Sequence, residues 1–158
     1  MNIGSKLTLA AITALFLSAA GLALAQSDAP YTEGPVWAIT MVRTKAGMTD
    51  DYLKNLAKNY RASMDEEKKQ DIIMDYKILL GDASTAQDYD ILLMVEYKNM
   101  AMLDGLREKM DPIGRKIIGG EEQQRQGAVK RAEIREILGD KAMREITLKA
   151  AATPPTKG

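Results

Sequence analysis

The chain has 158 residues, with 22 Lys and Arg balanced against 22 Asp and Glu, one tryptophan, and no histidine or cysteine. That balance gives no electrostatic pull toward nucleic acid or anionic lipid. The two absences remove histidine general bases, histidine-ligated haem, disulfides and the common zinc and copper sites built on imidazole or thiolate, so no cofactor is expected.

Residues 1–25 have the order of parts of a cleavable signal peptide. Lys6 supplies positive charge, Leu7 to Leu24 is uncharged and largely apolar, and Ala23-Leu24-Ala25 places small residues where signal peptidase needs them, ahead of Gln26. The expected product is an exported protein, periplasmic or extracellular, without stable membrane association after cleavage. Cleavage removes one basic residue and no acidic one, which leaves 133 residues of net charge −1. That length suits one domain with a usable core.

Residues 26–35 (QSDAPYTEGP) are polar and carry two prolines and a glycine, so they are expected as a flexible leader. Val36 to Thr44 (VWAITMVRT) is rich in β-branched and aromatic residues and predicts a strand. After a turn at Ala46-Gly47, Thr49 or Asp50 is placed to cap a helix, with Asp50 and Asp51 at its positive end. Leu53, Leu56, Ala57, Tyr60 and Met64 then recur at helical spacing, and the helix is expected to run to about Lys69.

Ile72 to Leu80 predicts a second strand and Tyr89 to Lys98 a third, joined as an antiparallel hairpin by a short polar connection. A second helical region starts near Asn99 with Met102, Leu103, Leu106 and Met110. Asp111-Pro112 interrupts it and restarts a short segment that ends at Gly119-Gly120. Glu121 to Leu138 is expected as a charged helix ending at Gly139, with a thin stripe of Val129, Ala132 and Ile137 and a Glu121–Arg125 pair. The alternative is a hairpin about Gly139-Asp140 that pairs 132–138 with 141–149. Met143 to Lys149 closes the ordered body, 36–149, and residues 150–158 are expected as a disordered tail.

The order β-α-β-β-α-β predicts an α+β, ferredoxin-like fold: a four-stranded antiparallel sheet with its helices on one face and an extended second helical region. Alternation then divides the strands. Ala38, Thr40, Val42, Met74, Tyr76, Ile78, Leu80, Ile91, Leu93, Val95, Ile146 and Leu148 belong under the helices. The opposite face carries Trp37, Ile39, Met41, Arg43, Ile73, Asp75, Lys77, Leu79, Leu92, Met94, Glu96, Met143, Glu145 and Thr147. It is too apolar to stay wet and too charged for a dry core, which suits a second sheet packed over a cavity.

Strand, glycine turn and acid-capped helix in VWAITMVRTKAGMTDDYLKNLAKNY, the hairpin IIMDYKILLGDASTAQDYDILLMVEYKN and the closing REITLK together resemble the dimeric α+β barrel superfamily. The resemblance implies a homodimer whose sheets close a barrel. Members include cofactor-free monooxygenases, haem enzymes and isomerases. The haem branches use a histidine ligand, which this chain lacks.

The candidate pocket is therefore Trp37, Met41, Arg43, Asp75, Lys77, Met94 and Glu96, with no catalytic motif and no metal site. Its expected occupant is a small, mostly apolar molecule. Arg43, Asp75, Lys77 and Glu96 could instead serve as the acid–base group of a cofactor-independent oxygenase or isomerase. A third reading is a structural partner of an envelope protein. Met100-Ala-Met102 has thioether spacing for Cu(I), but positions i and i+2 at the start of a helix point apart.

Overall fold

The computed structural model describes residues 29–150; the expected signal peptide and most of the expected tail lie outside them. The elements are β1 (Tyr31–Thr44), α1 (Thr49–Asn55), a π-helical turn (Leu56–Tyr60), α2 (Arg61–Lys69), β2 (Asp75–Leu80), β3 (Ile91–Tyr97), a 3-10 turn (Met100–Leu103), α3 (Leu106–Ile117), α4 (Glu121–Ile134) and β4 (Arg135–Leu148). All strand pairs are antiparallel, in the order β2-β3-β1-β4. The fold is α+β and ferredoxin-like, as the element order predicts.

The alternation along β1 and β3 sets the two faces. Val36 pairs with Tyr97 and Val42 with Ile91, and all four are buried under the helices. The first helix is continuous from α1 through the π turn to α2. Its inward stripe is Tyr52, Leu56, Met64 and Glu67, all buried, with Tyr60 packed beside them; Ala57, expected on that stripe, is exposed. Its start has no side-chain cap: Met48 precedes it, and the Thr49 hydroxyl instead meets that of Thr44 at 2.8 Å. Two apolar clusters join the layers. One gathers Val42, Tyr52, Leu56 and Ile91; the other gathers Met64, Ile72, Ile73, Tyr97 and Ile113.

Several boundaries differ from expectation, each for a local reason. β1 begins at Tyr31, inside the expected leader, because Tyr31–Glu33 pair with the far end of β4. A register shift between Glu33 and Val36 accommodates Gly34-Pro35. A Cβ on Gly34 would stand 3.2 Å from the Glu145 carbonyl oxygen.

β2 begins at Asp75, not Ile72. Asp71 takes a left-handed conformation (φ 54°) and closes α2, with Ile72 N–H donating to the Glu67 carbonyl at 3.0 Å and Asp71 N–H to that of Lys68 at 3.2 Å. The chain after it is not yet in the sheet, so Ile73 turns into the core and Met74 is exposed, the reverse of the predicted alternation.

The second helical region breaks at Gly105 (φ 61°) and then runs through Pro112 without interruption. The carbonyl that Pro112 cannot bond belongs to Glu108, and both residues are exposed, so water can serve it. Met100 is exposed while Met102 packs on the core, so the thioether pair diverges.

Residues 135–148 form one strand, in place of either a longer helix or a hairpin. Gly139 pairs with Met41 next to a register shift, where a Cβ would meet the Met41 methyl at 3.0 Å. The glycine marks a bulge and a close approach rather than a turn. Ile78 and Leu80 on β2 and Ile146 and Leu148 on β4, expected under the helices, are exposed; both are edge strands, and Tyr31 to Glu33, the β1 partners of that end of β4, have no partner in β3. Arg125 pairs with Glu122 at 2.7 Å rather than with Glu121.

Candidate functional site

The register gathers most of the sequence-derived candidates on the face away from the helices. Trp37 lies opposite Glu96, which lies opposite Asp75; Ile39, Met94 and Lys77 form the next row, and Met41, Leu92 and Leu79 the one after. Met143 and Glu145 of β4 complete the Trp37 end. The face assignment of these residues therefore holds.

Their charges do not converge, however. Asp75 accepts from Lys68 Nζ at 2.8 Å, and that bond, with the Tyr76 backbone N–H, holds its carboxyl below the usual range. Lys77 Nζ stands over the Trp37 ring, 4.9 Å from its centroid. Trp37 Nε1–H donates to Glu145 Oε2 at 2.9 Å. Arg43 donates to Glu136 at 2.8 Å, and six strand positions, about 20 Å, separate it from Trp37. Four charges expected as one acid–base group are thus distributed over the face, three of them in separate contacts.

A second place has the features of a binding site. Between the first helix, α3, α4 and the sheet lies a cleft of about 420 Å³. Leu56, Met64, Leu93, Met110 and Ile118 give it apolar walls. Asn55, Asn59, Tyr60, Ser63 and Glu67 line it from the first helix, Gln124 and Arg131 from α4, and Arg135 from the start of β4. The π turn sits in the middle of the long wall, a geometry often found at functional sites, and contributes Leu56, Asn59 and Tyr60.

Among the described residues, the buried side-chain polar atoms without a hydrogen-bond partner are Tyr60 Oη, Glu67 Oε2 and Arg135 Nε. All three belong to residues that line this cleft. Buried polar atoms are almost always paired, because leaving one unpaired costs about 1–3 kcal/mol. Two of these atoms belong to the first helix and the third to the start of β4, so the cleft is bordered on two sides by polar groups with unused hydrogen-bonding capacity.

Glu67 is 1% exposed, and burial pushes its carboxyl up to about 7. Its flanking acids behave differently. Asp65 accepts from the Tyr76 hydroxyl at 2.9 Å, and Glu66 accepts from Lys116 at 2.8 Å and Gln70 at 3.0 Å. Burial is also the main cause of the raised Tyr60 phenol, with the charge of Glu67 adding to it. At the other end, the Arg135 guanidinium lies 5.7 Å from the centroid of the Tyr52 ring. Arg131 is held below its ordinary value first by burial and then by the charge of Arg135.

Sequence reasoning missed this site for an identifiable reason. Extending the spacing Leu56, Tyr60, Met64 by one step reaches Glu67, but a carboxylate there reads as part of the acidic run Asp65-Glu66-Glu67. On α4 the half-buried stripe is Gln124, Gly127, Arg131 and Ile134, which no apolar periodicity reveals.

No family model and no curated protein matches this sequence. Among solved structures, HapK from Hahella chejuensis is similar at 11% identity and a TM-score of 0.44, over 75% of this chain and 99% of its own. A dimeric ferredoxin-like protein from an uncultured marine organism is similar at 11% identity and a TM-score of 0.44, over 77% of this chain and 94% of its own.

Proposed function

We propose that the chain is an exported homodimeric protein that binds a small, mostly apolar molecule, and that the cleft between its helices and sheet is where it does so. The observation that carries this reading is that Tyr60, Glu67 and Arg135, each with a buried side-chain polar atom lacking a partner, line one apolar-walled cleft. A volume of about 420 Å³ lies within the usual range for small-molecule pockets. The dimer rests on the sheet face that the helices leave uncovered. Ile39, Met41, Leu92 and Met94 are half-buried there, and Leu79 and Met143 are exposed at 50% and 52%. A second copy of the same face, applied about a two-fold axis, would cover them. Export is supported by the Ala23-Leu24-Ala25 site and the apolar stretch before it.

The test is the fluorescence of the neutral probe N-phenyl-1-naphthylamine with the wild-type protein and with Ser63→Phe, which places a ring in the cleft. Enhancement in the wild type, lost in a folded Ser63→Phe, is expected. Equal enhancement in both proteins would move binding elsewhere.

A further inference from the structure

The cleft has two chemically different ends. Glu67 stands at one, where its charge acts on Tyr60 and on Tyr97. Arg131 and Arg135 stand at the other, where both charges act on Tyr52. Arg43, Arg61, Arg107, Arg125 and Arg144 each have a carboxylate partner. Among the described residues, the exposed Arg115 makes no such ion pair, and neither do Arg131 and Arg135. Both are half-buried, their charges repel, and Arg135 retains a buried Nε–H with nothing to donate to. Asp111 also lines the cleft, from α3, but its carboxylate faces Arg107 at 3.8 Å.

The carboxylate whose charge also acts on Tyr52, Asp90, is engaged by Thr44, and two neighbouring guanidiniums with no carboxylate in ion-pair contact are unfavourable where water is partly excluded. An oxyanion between them would relieve the repulsion and accept from both planar forks. A carboxylate has the matching geometry, and the apolar walls beyond it suit a hydrocarbon or aromatic body.

We propose that the cleft recognises a small carboxylic acid with an apolar body, its carboxylate held by Arg131 and Arg135 and its body lying over Leu56, Leu93 and Ile118. This rests on the cleft being the binding site, and it adds the charge and polarity of the ligand. The Arg135 guanidinium lies against the Tyr52 ring, so its donors are placed before the ligand arrives.

The experiment is displacement of N-phenyl-1-naphthylamine from the full mature protein by 1-naphthylacetate and by its neutral amide, 1-naphthylacetamide. The acid should displace the probe at a concentration at least about tenfold below that of the amide, the scale of one charge-assisted hydrogen bond. In Arg131→Gln/Arg135→Gln the two competitors should agree within about twofold, each measured against the probe's own affinity for that variant. Equal potency of acid and amide in the wild type would overturn the carboxylate inference, and so would a preference that survives the double substitution. In either case retained probe binding would leave the cleft as a binding site. Failure of the probe to bind the wild type would remove both. The wild-type comparison decides even if the double variant does not fold.

Discussion

Tyr60 and Glu67 lie two turns apart on one helix, face the same cleft, and each keeps a buried oxygen that no protein group bonds. Their neighbours at those turns are ordinary: Met64 packs in the core, and Asp65 and Glu66 find partners at the surface. The chain after α2 fixes the arrangement, since Ile72 N–H closes on the Glu67 carbonyl. A carboxyl held in this way is a cost to folding that an incoming donor or acceptor can recover.

That cost makes stability depend on pH with a definite sign. The Glu67 carboxyl titrates near 7 in the folded protein against an ordinary value of 4.5. Below the ordinary value it is protonated in both states and adds no pH-dependent cost. As pH rises toward 7 the unfolded chain ionises first, and folding loses up to about 3 kcal/mol. Glu67→Gln should therefore gain stability relative to wild type between pH 4.5 and pH 8, by urea unfolding. A difference between the two proteins that is the same at both pH values would contradict the burial of this carboxyl.

Asp71 closes α2 with a left-handed backbone that glycine adopts without penalty. Asp71→Gly should stabilise the protein by about 0.5–1 kcal/mol, less than the full left-handed penalty because aspartate tolerates this region better than most residues. Thermal unfolding measures it, and a lowered midpoint would show that the Asp71 side chain has a role of its own.

The dimer is tested on residues that do no work inside the protomer. Trp37 is unsuitable, since it is 9% exposed and bonded to Glu145 within the chain. Leu79→Glu and Met143→Glu place a charge on the uncovered face and should shift the dimer toward monomer by about two orders of magnitude. Lys58→Glu, on the exposed side of the first helix, should leave it unchanged. Sedimentation equilibrium reads both, and a monomeric wild type at micromolar concentration would end the proposal.

Export predicts a mature chain beginning at Gln26. Intact mass of the secreted protein should correspond to residues 26–158, whereas a membrane-bound form retaining residues 1–25 would show an anchor.

The fold was legible where one side-chain period dominates. Alternation over 36–44 and 91–97 assigned both faces of the central strands, and the buried pairs Val36–Tyr97 and Val42–Ile91 follow it. It was illegible where charge and glycine carry packing roles. Arg135 to Leu148 contains Arg, Glu, Gly-Asp and Lys, so it suggests a helix end and a turn, yet it pairs along β1 because Gly139 makes room for Met41. The uncovered face emerged from alternation, but the engagements of Asp75 with Lys68 and of Arg43 with Glu136 depend on tertiary neighbours. The cleft was hidden because its distinguishing residues, Glu67, Arg131 and Arg135, are of types that ordinarily face water.

Chemical-shift mapping of the backbone amides during titration with N-phenyl-1-naphthylamine tests the central claim most directly. The changes should concentrate in Asn55 to Glu67, Gly114 to Ile118 and Gln124 to Arg135, the three segments that wall the cleft. Changes centred on Trp37, Lys77, Leu79 and Met94 would place the ligand on the opposite face of the sheet and contradict it.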